Sequence, residues 1–172
     1  MTAVAGPSDT SATPAKSVQP TQCPGCGLLV PGGVEGCQKL FDDESVREYG
    51  DVKFAGRRRL VVDTYALQHP ERYCASATSL AAHLTGVCIA IEHRAREQEL
   101  NDAMQRWLSR RPQLVKPALP VTRGTLTIAD VLAESDVIDH RAVVERWARA
   151  TWAAYTELHP IARAWVRTVD RQ

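Results

Sequence analysis

Residues 23–37 read CPGCGLLVPGGVEGC. Five glycines and two prolines in fifteen positions make this stretch a loop rather than a helix or strand. So irregular a segment has little apolar surface to bury, and its three cysteines offer another way to hold it. Cys23 and Cys26 form a CxxC pair around a Pro-Gly turn, one half of a zinc site. Such turns leave backbone amides free to donate to thiolate sulfur. Cys37, eleven residues on at the start of a helical pattern, is the best third ligand. A redox reading of the CxxC pair needs a strand before it and a helix under it, and neither pattern is present.

A closed structural site needs a fourth ligand, and no second CxxC exists in the chain. The fourth ligand is therefore sought among scattered residues. His69 ends a helical segment at Gln-His-Pro, and His83 lies on or near the buried stripe of the next helix. Cys74, in a loop after Tyr73, is the remaining option. Cys88 sits on an apolar stripe and reads as a small buried hydrophobe. His93 and His140 read as solvent-facing. His159 precedes Pro160 at a helix break.

Around this core question the chain is ordinary. It has 172 residues, 44% of them apolar and 24% charged, with a net charge of +1. That suits one domain. The near-neutral balance gives no footprint for nucleic acid or an anionic membrane surface. No apolar run reaches the ~18 residues of a membrane span, and the N-terminus lacks the basic start and apolar run of a secretory signal. The expected compartment is the cytoplasm, where the five cysteines stay reduced and metal binding is favoured over disulfides. Residues 1–21, rich in Ser, Thr, Ala and Pro, read as a disordered tail, and residues 22–172 as a single domain that includes the metal-binding loop 22–37.

Helical spacing fills the rest. It appears in CQKLFDDESVREYG (37–50), RRRLVVDTYALQHP (57–70), a long pattern at 76–95, and EQELNDAMQRWLSR (97–110). Gly86, inside the third, implies close packing against a neighbour. Residues 111–125, with three prolines and a glycine, form a connector. Thr127 then caps a short helix, and residues 136–170 are helical with a break expected at Pro160. The expected fold is mainly α, a bundle of four to six helices with an N-terminal Gly/Pro-rich zinc-binding loop.

Three further groups stand out. Asp63, Tyr65, Gln68 and His69 interrupt an apolar helix, and a buried Asp63 needs a partner such as a ligand histidine. Trp147, Thr151 and Tyr155 share one face, with Trp152, His159 and Trp165 on a neighbouring one, and read as core anchors. Arg57-Arg58-Arg59 could meet a phosphate but more simply forms a solvated helix start. No HExxH, GxxxxGK[ST], GxGxxG or GxSxG motif is present.

With these residues the chain resembles a bacterial family known only as a domain of unknown function, number 5946 in that series. The resemblance rests on the CPGCG turn, the Gly/Pro loop leading to a cysteine, VDTYALQHP (62–70), SLAAHLTGVCIAIE (79–92), Leu-Thr-Ile-Ala-Asp-Val (126–131) and the Trp-rich helix at 147–165. It covers about residues 23 to 166. It implies an all-helical fold and a single unit of Cys23, Cys26, Cys37 and His69 with His83 nearby, and it supplies no activity. The expected function is a zinc-binding accessory or binding module for a protein or small-molecule partner. The alternative is a zinc-dependent, hydrolase-like enzyme with an open coordination position beside His69, His83 and Asp63, with His83 or His159 moving protons.

Overall fold

The structure, a computed structural model, describes residues 19–171. The expected disordered tail lies outside the described residues as far as residue 18. Its last three positions do not: Gln19 precedes a strand to which Pro20 and Thr21 belong. Strand β1 (Pro20–Gln22) pairs antiparallel with β2 (Leu29–Pro31), with Thr21 opposite Val30. The segment expected to be plain loop is thus a small hairpin running into helix α1 (Val34–Gly50). Strands of three residues are too short for their alternation to be read against a glycine-rich background.

Seven further helices follow among the described residues. They are α2 (Arg58–Gln68), α3 (Pro70–Tyr73), α4 (Ala77–Glu92), α5 (Glu97–Ser109), α6 (Ile128–Leu132), α7 (Val137–Ala154) and α8 (His159–Asp170). The mainly α reading holds. Six of the eight helices have eleven or more residues, and α3 and α6 are single turns. The boundaries carry their own chemistry. Ser76 and Ser79 form a reciprocal capping box on α4, and Thr127 and Asp130 one on α6. The Asp136 side chain accepts from the amides of Ile138 and Asp139 to start α7. The break expected at Pro160 falls five residues earlier, at Tyr155, because proline costs no amide partner in the first turn of α8.

Helix α2 is the axis. Eight of its eleven residues are buried, and it packs between α4 and α7 while α4 also carries α5 and α8. A helix buried nearly all round must find partners for its polar side chains. Thr64 donates to the Leu60 carbonyl (2.6 Å), and Gln68 donates to the carbonyls of Arg123 and Leu126 in the connector (3.0 and 2.8 Å). Asp63 receives the His83 ring of α4 (2.9 Å) and lies 3.3 Å from the Arg59 guanidinium. Its carboxyl is pushed up by burial and drawn back down by the His83 hydrogen bond. Gly86 makes this approach possible, since a Cβ there would overlap the Asp63 carboxylate. The aromatic anchors behave as expected. Trp147, Thr151 and Tyr155 are fully buried, and the His159 ring stacks on Trp152 at 3.8 Å and donates to its carbonyl.

One reading needs correcting. His140 is not solvent-facing but fully buried, with Nε2 2.7 Å from Glu44 of α1. It shares a face with the buried Val143, Val144 and Trp147, at the three-, four- and seven-residue spacing of a core stripe. Glu48, one turn beyond Glu44, is also buried, and its carboxyl is pushed up to about 7 by burial and by the charge of Glu44. Among the described residues no helix is long and apolar enough to cross a membrane.

Two outcomes follow. Gly86→Ala should destabilise the fold by about 1–3 kcal/mol in urea melts, as overpacking does. A gain of the kind Ala brings to an open helix position would contradict the tight α2–α4 contact. Glu48 binds its proton more tightly folded than unfolded, so its burial costs nothing below its unfolded value near 4.5 and the full penalty above about 7. Glu48→Gln should therefore stabilise the protein at pH 8 and have no such advantage at pH 4. Equal effects at both pH values would exclude it.

Candidate metal centre

Three parts of the chain bring four side chains together. The hairpin tip supplies two. The Cys23 amide donates to the Leu28 carbonyl (2.7 Å) and the Gly27 amide to the Cys23 carbonyl (2.8 Å), so the chain folds tightly around Pro24–Cys26. Gly27 sits at φ +80°, which glycine adopts without strain. Cys37 comes from the first turns of α1, its amide bonded to the Gly33 carbonyl. His69 comes from the junction of α2 and α3. Pro70 disfavours a helical conformation at His69 and opens α3, so α2 stops with the His69 ring turned out of the helix axis.

The ring is fixed from behind. His69 Nδ1 lies 2.8 Å from the Tyr65 carbonyl one turn earlier. A carbonyl only accepts, so Nδ1 carries the hydrogen and Nε2 presents its lone pair. Nε2 lies 3.5 Å from the Cys23 sulfur and 3.4 Å from the Cys37 sulfur, and the Cys26 and Cys37 sulfurs are 3.7 Å apart. The ligand atoms of Cys23, Cys26, Cys37 and His69 all lie within 4.8 Å of one another. Cys23, Cys37 and His69 are buried, and Cys26 is half-buried. All five cysteines are free thiols. This cluster could bind a metal ion.

Its electrostatics show why a cation suits it. The Cys26 thiol is lowered to about 4, chiefly by the hydrogen bond from Cys37. Cys37 is raised by that same bond and then by burial. The two shifts run in opposite directions because two thiolates 3.7 Å apart repel each other strongly. A divalent cation removes that conflict. The Tyr65 hydroxyl also donates to the Cys37 sulfur (3.7 Å).

Aromatic rings wall the cluster. Tyr65 stacks between Phe41 (4.1 Å) and the His69 ring (4.0 Å), with Tyr73 edge-on at 5.8 Å. Tyr73 in turn donates to Gln38 of α1 (2.6 Å). On the open side Gly25 lies so close to the His69 ring that a Cβ would come within 2.5 Å of it. A cleft of about 320 Å³ opens beside the cluster, with Cys23 and His69 in its wall beside Tyr65, Tyr73 and Val34.

The other sequence candidates lie elsewhere. His83 is held by Asp63, and Asp63 points about 200° around α2 from Tyr65, two residues on. The partner expected for Asp63 is thus a histidine, though not one in the cluster. Cys74 donates to the Ala66 carbonyl (3.6 Å), and burial pushes its thiol up to about 12. A second group, Cys88, Glu92 and His93, is already in use. Glu92 holds Arg163 through both oxygens (2.8 and 2.7 Å) and accepts from Trp152, while burial pushes Cys88 up to about 12. Sequence reasoning named Tyr65 but gave it no task. Its four-residue spacing to His69 was the available signal, since residues so placed meet on one helix face.

The hairpin, the Cys37 helix and the VDTYALQHP helix thus fold into one unit. The chain belongs to a family of unknown function, DUF5946. The family model matches residues 21–156, which takes in all four cluster residues and every helix except α8. No curated protein and no solved structure matches the chain.

Tyr65→Phe keeps the stack and removes the O–H···S bond. Such outer partners typically carry about ten-fold or more in metal affinity. Competition with a chelator on the cobalt-loaded protein should show a loss of that order, and a larger one for Tyr65→Leu. Unchanged affinity in both variants would remove Tyr65 from the site.

Proposed function

We propose that this DUF5946 member is a zinc-binding helical protein whose metal is structural, and that it works as a binding or accessory module. The observation that carries this reading is the donor set with its spacing. Three thiols and one imidazole make a closed Cys₃His set. A tetrahedron with Zn–S near 2.3 Å and Zn–N near 2.0 Å has edges of about 3.8 Å between sulfurs and about 3.5 Å from sulfur to nitrogen. The 3.7 Å between Cys26 and Cys37 and the 3.4–3.5 Å from His69 to Cys37 and Cys23 match those edges. Soft thiolates with one imidazole favour zinc over magnesium or calcium.

In this reading Cys23, Cys26, Cys37 and His69 hold the ion, and binding energy replaces the core that the hairpin lacks. The partner is a protein or small molecule of a size to use the 320 Å³ cleft beside the site. The metal-enzyme alternative relied on His83 and Asp63 beside the ion. Their pairing on another face of α2 takes both of those groups away from the cluster, and four protein ligands around the ion would leave no position for water.

Elemental analysis of protein carrying no histidine tag should give about one zinc per chain, the capacity of one closed four-ligand site. His69→Ala and the Cys23→Ser/Cys26→Ser double variant should lose the metal and melt earlier, while His83→Ala keeps it. Metal-free wild type, or a double variant with full metal and an unchanged melt, would overturn the proposal.

A further inference from the structure

The cleft beside the metal cluster is apolar and aromatic for most of its wall. Tyr65, His69 and Tyr73 line it together with Pro24 and Val34, around a volume of about 320 Å³. Ligand pockets run from about 300 to 1,000 Å³ and are mostly apolar with a few polar groups, so this one suits a small molecule. Val34, in the first turn of α1, is 41% exposed, and no other element covers it.

Most polar groups in this wall are already engaged. Gln38 donates to Asp42 (2.9 Å) and accepts the Tyr73 hydroxyl (2.6 Å). His69 gives Nδ1 to the Tyr65 carbonyl and Nε2 to the cluster, and the Tyr65 hydroxyl goes to Cys37. Arg123 holds Glu71 at 3.0 Å. The backbone is engaged as well. The Cys23 amide bonds to the Leu28 carbonyl, the Arg72 and Tyr73 amides bond to the His69 carbonyl, and Pro24 has no amide hydrogen.

Arg72 is the exception. It is exposed and lines the cleft, with its guanidinium 5.5 Å from the centre of the Tyr73 ring. Among the described residues its side chain makes no ion pair and no hydrogen bond. One free cation at the exposed end of an apolar cleft calls for a ligand with one anionic end and an apolar body. The metal cluster sets the orientation. A zinc ion with three thiolates and a neutral imidazole carries one net negative charge, so the anionic end belongs on Arg72 and the apolar body toward Cys23. Walls made of rings favour a flat ring between them, stacked or edge-on.

We propose that this cleft binds a small aromatic carboxylic acid, its ring between Pro24, Val34 and Tyr73 and its carboxylate on Arg72. The proposal rests on the closed zinc site, which holds the hairpin tip in place as one wall of the cleft. A guanidinium fork pairs with a carboxylate through two parallel hydrogen bonds. One fork matches one carboxylate, whereas a phosphate dianion leaves a charge unmatched. A peptide is the poorer occupant, because the wall amides that would pair with its backbone are already bonded within the chain.

The test is an NMR titration of the intact, zinc-loaded protein with 2-naphthylacetate. The Val34 and Tyr73 amide signals should shift saturably, with a Kd of about 1 mM or tighter, the reach of a ligand of this size. The neutral 2-naphthylacetamide has the same shape and should bind about ten-fold more weakly, the effect of one charge-assisted pair. Arg72→Gln should bring the acid down to the level of the amide and leave the amide unchanged. Val34→Asp, a substitution that suits a helix start, should weaken both ligands. Arg72 and Val34 are both exposed, so neither variant threatens the fold. Absent shifts, equal binding of acid and amide by wild type, or unchanged affinity for the acid in Arg72→Gln would each overturn the proposal, as would tighter binding of a short peptide ending in Phe. Zinc is measured on the same sample. With one zinc per chain, such a failure falls on the cleft alone, whereas protein without zinc overturns the metal reading and the cleft assignment with it.

Discussion

The hydrogen bond from His69 Nδ1 to the Tyr65 carbonyl is the small constraint on which the N-terminal half depends. It fixes the tautomer and aims one lone pair at the point where the hairpin and α1 deliver their sulfurs. It exists because α2 ends at Gln68, and α2 ends there because Pro70 opens α3. One proline thus sets a helix terminus, the terminus exposes a ring, and the ring gathers three cysteines that lie up to 46 residues away.

The hairpin shows what that gathering is worth. Its strands have three residues each, and all six residues are exposed except the half-buried Val30. Two such strands are marginal in water on their own. Their attachment to the helical body runs through the sulfurs, Gly25 against the His69 ring, Gly36 against the Pro31 carbonyl, and the partly buried Leu28 and Val30 packed on the core. The cluster lets polar chemistry do the work that buried area does in the rest of the molecule, where Trp147, Tyr155, Leu80 and Leu84 fill the centre. The VDTYALQHP helix joins the two regimes. Asp63 ties it to α4, the Leu67 carbonyl receives the hydroxyl of Tyr155 just after α7, Gln68 holds the connector, and Tyr65 and His69 face the cluster.

Much of this was legible in the sequence. The apolar spacing gave the long helices to within a few residues at most ends, because amphipathic periodicity over four or more turns is a strong signal. Thiol spacing singled out Cys23, Cys26 and Cys37 and left the fourth ligand open among His69, His83 and Cys74; the family resemblance pointed to His69, and the structure brings its ring nitrogen together with the three sulfurs. His83 was grouped with them because an isolated histidine on a buried stripe carries no sign of its partner. That partner, Asp63, lies twenty residues away on another helix. His140 was missed for the same reason, since Glu44 is ninety-six residues distant. Local pattern records which face a residue occupies and says little about which charge waits opposite.

The central claim is that these four side chains close around one zinc ion. X-ray absorption at the zinc edge on the purified protein tests it most directly. The account predicts a four-coordinate shell of three sulfurs near 2.3 Å and one imidazole nitrogen near 2.0 Å. A shell with two or fewer sulfurs, an additional oxygen from water, or no bound zinc would contradict it.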